Sequence, residues 1–193
     1  MGKGYDVAML CGRFQHFHIG HQSLVEHALK VADRMIILVG SSQEFGTERN
    51  PFDISTRIDV IREIYNDDNR ISVKPLPDLT NENDITPDWG RYVLKSVGHY
   101  IHKVPEVMIY GNDEARSRWF DPEDIKDTLE IVVPRSKIKI SATEVREMLV
   151  RDDREQWMKY VHPRLHKMYD TLRAELLSCD FYREKFESLM GQK

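Results

Sequence analysis

Gly12-Arg13-Phe14-Gln15-His16-Phe17-His18-Ile19-Gly20-His21 decides how this chain is read. The stretch follows an apolar run, Val7 to Cys11, and precedes a segment in which Leu24, Ala28 and Val31 recur at helical spacing. A buried strand, a turn and a helix start, in that order, form the opening unit of a parallel α/β sheet. Such sheets bind ligands beyond the carboxyl ends of their strands, which is where this turn lies. The helix start adds N–H groups with no intrahelical partner and the positive end of the macrodipole, so it is an anion site by construction. His18 and His21, separated by Ile19-Gly20, bring two imidazoles to that site, and a nucleoside triphosphate suits it.

Outward from the turn, short apolar runs alternate with helix-period segments. Strands are expected at Tyr5 to Cys11, Met35 to Val39, Ile71 to Pro75, Val107 to Tyr110 and Glu130 to Val133. Helices are marked by Ile54, Ile58, Ile61 and Tyr65, and by Trp89, Val93, Val97 and Ile101. The pattern predicts an α/β fold, a five-stranded parallel sheet with helices on both faces. Pro75 to Pro87, rich in Pro, Asp and Asn, is a loop long enough to be functional. Beyond it, Ser141-Ala142-Thr143-Glu144-Val145-Arg146 opens with a capping box, Ser141 to Glu144. Past Pro163, the spacing of Leu165, Met168, Tyr169, Leu172 and Leu176 predicts a helix with proline in its first turn. Asp180 to Lys193 carries a weaker stripe of Phe181, Phe186, Leu189 and Met190.

A chain of 193 residues suffices for a full core. Its net charge of -4 argues against binding nucleic acid by neutralising many phosphates. The two cysteines, Cys11 and Cys179, lie far apart and read as thiols in a reducing compartment. No apolar run has membrane-spanning length, and Met1-Gly2-Lys3-Gly4 leads directly into a strand, so a cytoplasmic protein is expected.

Gly12-Arg13-Phe14 with His18-Ile19-Gly20-His21 resembles the signature of the nucleotidylyltransferase superfamily. Gly40-Ser41-Ser42-Gln43, Arg49-Asn50-Pro51-Phe52, Trp89, Gly111-Asn112 and Ser141 to Arg146 follow in the order and approximate spacing of the nicotinamide mononucleotide (NMN) adenylyltransferases. The likeness is to the archaeal type and to the adenylyltransferase half of bifunctional enzymes fused to a Nudix domain, and it covers roughly residues 5 to 170. It implies a Rossmann-like nucleotidylyltransferase domain over 1–155 and a helical segment over 156–193 packed on it. The tail resembles the linker that leads into the Nudix domain of those relatives, and no Nudix activity is expected. The implied reaction joins ATP to NMN, giving NAD and pyrophosphate, with the chain as a homo-oligomer.

The resemblance assigns His18, His21, Arg13 and Arg146 to the chemistry. It places Gly12, Phe14, Gly20, Gly111, Asn112, Ser141 and Thr143 around ATP, and Gly40, Ser41, Arg49, Asn50, Phe52 and Trp89 around the mononucleotide. The residues themselves support these roles unevenly. Adenylyl transfer needs positioned donors and cations rather than a nucleophile, and paired imidazoles at a helix start supply donors. Gly20 keeps a side chain away from the nucleotide. Trp89 offers an indole face to a cationic nicotinamide ring, and its alternative is a core aromatic at the spacing of Val93 and Val97. Arg49 either holds the mononucleotide phosphate or pairs with Glu48. Arg13 either meets phosphate or caps the sheet, and Lys137 and Lys139 add field or are solvated. His16 stands where the family commonly has proline. With His18 and His21 it could be read as a metal triad, but no carboxylate or thiolate accompanies it, so zinc is not expected. Magnesium is expected on the ATP phosphates rather than on protein ligands.

Neither a Walker P-loop nor a G-x-G-x-x-G fingerprint is present. FMN or phosphopantetheine as acceptor is disfavoured by the Arg49-to-Phe52 segment and Trp89, the latter acceptor also by His18. A non-catalytic ATP or NAD sensor is the reading from a different class. The length excludes an aminoacyl-tRNA synthetase.

Overall fold

The computed structural model describes residues 2–81, 83–84, 86–111, 119–134 and 139–191. Five parallel strands form one sheet: β1 Tyr5–Gly12, β2 Ala32–Val39, β3 Ile71–Pro75, β4 Val107–Gly111 and β5 Leu129–Val133, in the order β3-β2-β1-β4-β5. β1 is central, pairing along its length with β2 and at Ala8 and Met9 with β4. The first connection, through helix α1 (Ile19–Val31), has no loop at its far end. Ala32 both closes the helix and opens β2, three residues before the start the sequence suggested.

The strands have apolar residues on both faces because both faces are covered. Ala8, Leu10, Met35, Ile37 and Ile109 look toward one core, while Met9, Cys11, Ile36, Leu38 and Met108 look toward another. This is the two-residue alternation of a pleated strand, expressed inside a continuous apolar run. The second core is covered by Trp89, Val93 and Val97 of α3 (Pro87–Ile101). The first is larger. It takes Val25 and Ala28 of α1, Val60 and Ile61 of α2 (Ile54–Tyr65), and Val145 and Leu149 of α4 (Ala142–Val150).

The C-terminal segment packs into that same first core. It comprises α5 (Arg154–Tyr160), a 3-10 turn Pro163–Met168, α6 (Tyr169–Ser178) and α7 (Asp180–Met190). Trp157, Leu165, Tyr169, Leu172, Leu176 and Tyr182 are buried there. The helix expected from Pro163 thus begins as a tighter coil. The His162 side chain accepts from the Arg164 amide and Leu165 N–H reaches the His162 carbonyl, an i to i+3 closure that winds the first turn more steeply. In α7 the stripe holds at Phe186 and Leu189, while its two ends, Phe181 and Met190, are exposed. Tyr182 points inward with Phe186 and Leu189 at i+4 and i+7, and Phe181 is 40% exposed. Among the described residues no helix is long and apolar enough to cross a membrane.

Candidate active site

A cleft of about 1070 Å³ opens beyond the carboxyl ends of β1, β2, β4 and β5. One wall is the turn after β1. There Phe14 takes a left-handed conformation, φ 50°, and Ser41, in the loop after β2, does the same at φ 46°. Non-glycine residues adopt such angles only where their surroundings impose them, and both positions lie at the cleft.

Arg57 imposes much of this geometry. It sits on the buried face of α2, 2% exposed, and its five N–H groups all go to main-chain carbonyls. Nη1 donates to Arg13 and Gly40, Nη2 to Ser41 and Glu44, and Nε to Asp53. One guanidinium therefore fastens the loops after β1 and β2 to each other. Burial pulls its pKa down to about 10, which still leaves it charged at neutral pH.

α1 is capped by two imidazoles in a reciprocal arrangement. Nδ1 of His18, the N-cap, accepts from Gly20 N at 3.1 Å, and His18 N donates to Nδ1 of His21 at 3.3 Å. The rings stack with centroids 3.9 Å apart, and His21 also lies against Phe14 and Phe17. An imidazole that accepts at Nδ1 carries its proton at Nε2, so each ring is set as an Nε2–H donor. A Cβ on Gly20 would stand 2.9 Å from Cε1 of His18. Glycine at this position thus makes room for the His18 ring.

His16 does not face the cleft. It is buried beneath the turn, its Nδ1–H donating to Phe17 O at 2.8 Å and its Nε2 accepting from Trp157 Nε1 at 3.3 Å. Burial lowers its pKa to about 4. The unfolded chain takes up this proton near pH 6.5 and the folded one only near pH 4. Stability held above pH 6.5 is therefore lost as pH falls through that window, by up to about 3 kcal/mol from this group. Urea unfolding at pH 7 and pH 4.5 should show a drop smaller by about 2 to 3 kcal/mol in His16→Gln than in the wild type. Equal drops in the two proteins would refute the assignment.

The opposite wall is the start of α4. Ser141 Oγ accepts from Glu144 N, and Ser141 N donates to the Glu144 carboxylate, the expected capping box. One turn on, Arg146 is 7% exposed. Its Nη1 donates to Gln15 O, Nε to Tyr182 Oη at 2.7 Å and Nη2 to Thr143 Oγ1 at 3.2 Å. The late helix is therefore hydrogen-bonded directly to the early turn. Among the described residues, three of the five N–H groups of Arg146 go to protein acceptors, which leaves two for an anion.

His18, His21, Arg13, Arg146, Gly12, Phe14, Gly20, Gly111, Ser141, Thr143, Gly40, Ser41, Arg49 and Trp89 all line this cleft. Asn112 and Lys137 lie outside the described residues. Asn50 and Phe52, expected around the mononucleotide, are buried behind the wall instead, each 2% exposed. Gln15 holds them there. Its Nε2 donates to Asn50 Oδ1 and Phe52 O, and its Oε1 accepts from Phe52 N. Phe52 packs edge-on against His16. These two residues shape the loop that presents Arg49, whose Nη1 donates to Asn83 Oδ1 at 2.6 Å.

Trp89 is 5% exposed. It belongs to the second core and also borders the cleft. Beside it, Gly90 admits the Trp119 main chain, since a Cβ there would come within 2.0 Å of Trp119 O. The Nε1 of Trp89 is buried with no hydrogen-bond partner among the described residues. Asp78, tied to Ser41 Oγ and Gln43 Nε2, also lines the cleft and was missed in the sequence.

The Cytidylyltransferase-like family model matches residues 9–151, nearly three quarters of the chain and all of this cleft apart from α7. The chain belongs to that family and, within it, with the nicotinamide-nucleotide adenylyltransferases. It is 31% identical over 160 residues to the nicotinamide-nucleotide adenylyltransferase of Saccharolobus solfataricus, covering 81% of this chain and 85% of that one. It is 32% identical over 158 residues to the enzyme of the same name from Thermococcus kodakarensis, covering 79% and 76%. In fold it resembles a bifunctional NMN adenylyltransferase/ADP ribose pyrophosphatase from Francisella tularensis, solved with AMP and Mn ion. That match has a TM-score of 0.69 at 20% identity and covers 98% of this chain but 56% of the other. The chain thus spans about half the length of that bifunctional protein.

Proposed function

We propose that this chain transfers the adenylyl group of ATP to nicotinamide mononucleotide, forming NAD and pyrophosphate. A phosphate oxygen of the mononucleotide attacks the α-phosphorus in line. The bond to the β-phosphate oxygen breaks, and pyrophosphate carries away the electron pair. No covalent enzyme intermediate is needed, so the protein contributes alignment and charge stabilisation.

The direct bond from Arg146 to Gln15 O carries this reading, because it joins the start of α4 to the turn after β1 across one cleft, as a shared triphosphate would require. The Nε2–H donors of His18 and His21 address the α- and β-phosphates. The first-turn amides of α4, Thr143 and the two remaining N–H groups of Arg146 address the leaving pyrophosphate, and Arg13 adds charge beside Gly12. Arg49 holds the mononucleotide phosphate, and Trp89 borders its ring. Magnesium, which neutralises phosphate charge and gives up its waters reluctantly, rides on the triphosphate. A cytoplasmic homo-oligomer completes the proposal.

The test is pyrophosphate release and NAD formation from ATP, NMN and Mg²⁺. Binding of both nucleotides without pyrophosphate release would favour the sensor reading. Trp89→Ala is expected to raise the Michaelis constant for NMN about tenfold while changing that for ATP less than threefold. An unchanged NMN constant would leave Trp89 as a core residue alone.

A further inference from the structure

Tyr182 stands outside the part of the chain that the family model matches, yet it bridges two walls of the cleft. It projects from α7, is 2% exposed, and belongs to the first core. Its hydroxyl donates to Glu48 O at 2.8 Å and accepts from Arg146 Nε at 2.7 Å, and the guanidinium carbon lies 5.7 Å from the centre of its ring. Glu48 is the residue before Arg49, and Arg146 is the cation of α4. Burial raises the phenol's pKa, so the hydroxyl keeps its proton at neutral pH. With that proton committed to the Glu48 carbonyl, a lone pair is left facing Nε.

We propose that Tyr182 is a positioning residue for adenylyl transfer, acting through Arg146 on the triphosphate side and through the Glu48-Arg49 segment on the mononucleotide side. The inference rests on the proposed reaction, in which the two substrate phosphates must lie in line. By tying up Nε, the phenol fixes the rotation of the guanidinium and so the direction of the two N–H groups that remain. By holding Glu48 O, it sets the height of Arg49 relative to that guanidinium. Displacements of about 1 Å in such pairs cost roughly a hundredfold in rate.

Tyr182→Phe keeps the packing and removes both hydrogen bonds. Its turnover is expected to fall 10- to 100-fold, with both Michaelis constants within threefold of the wild type. Arg146→Lys supplies the second arm, because an effect transmitted through Arg146 must not add to its loss. The double variant is therefore expected to lose clearly less than the product of the two single losses, what remains of the Tyr182 effect passing through Glu48 and Arg49. Tyr169→Phe is the packing control. Its hydroxyl donates to Asp152, in the turn between α4 and α5, and Tyr169 does not line the cleft, so its turnover should stay within twofold of the wild type.

All assays are run well below each variant's thermal midpoint. Normal turnover in Tyr182→Phe, multiplicative losses in the double variant, or equal losses in Tyr182→Phe and Tyr169→Phe would each overturn the proposal. Wild-type protein that forms no NAD would instead overturn the proposed function.

Discussion

His21→Asn is expected to lower turnover by two to three orders of magnitude while leaving the thermal midpoint within about 2 °C of the wild type. The reciprocal cap makes this separation possible. Nδ1 of His21 accepts from His18 N, and a side-chain amide oxygen of asparagine occupies nearly the same place. The helix start is retained in the variant, but nothing replaces Nε2–H. A single preorganised donor aimed at developing charge contributes about 100- to 1000-fold in rate. His21→Ala removes the cap as well and should cost the same in turnover plus about 1 kcal/mol in stability. Steady-state NAD formation and thermal unfolding on the same preparations decide the matter. An asparagine variant with near-normal turnover would remove His21 from the chemistry.

Arg57→Met is expected to be the most destabilising single replacement in the site, by about 3 to 5 kcal/mol. It removes the donor shared by five carbonyls that have been withdrawn from water, and each orphaned acceptor carries a desolvation penalty. For a chain of this size the thermal midpoint should fall by about 10 °C. Lysine is a poor substitute, since a three-donor ammonium cannot reproduce a planar fork that reaches two loops. A methionine variant within 1 kcal/mol of the wild type would show that the loops after β1 and β2 hold their left-handed bends without the clamp.

The sheet was legible because its central strands, β1, β2 and β4, are buried on both faces and read as apolar runs. The turn was legible because glycine, arginine and the two histidines concentrate in ten residues. Other parts depended on partners that local sequence does not reveal. Gln15 works only because Asn50 and Phe52 come back to it across more than thirty residues. For the same reason, the family resemblance set Asn50 and Phe52 beside Arg49 around the mononucleotide, although both side chains turn inward. Arg57 did leave a signal, a charged residue on the apolar stripe of α2 between Ile54 and Ile61, where only a fully bonded guanidinium is tolerated. Tyr182 left a fainter one. The spacing of Tyr182, Phe186 and Leu189 fits a buried face better than one that begins at Phe181.

The passage of α1 into β2 at Ala32 without a connecting segment leaves no slack between the imidazole-capped helix start and the strand whose far end carries Gly40 and Ser41. One residue inserted there would rotate the helix by about 100° or turn the strand over, because the two periods cannot both absorb it. A change in chain length at this boundary would therefore displace either the capped helix start or the strand end that carries Gly40 and Ser41.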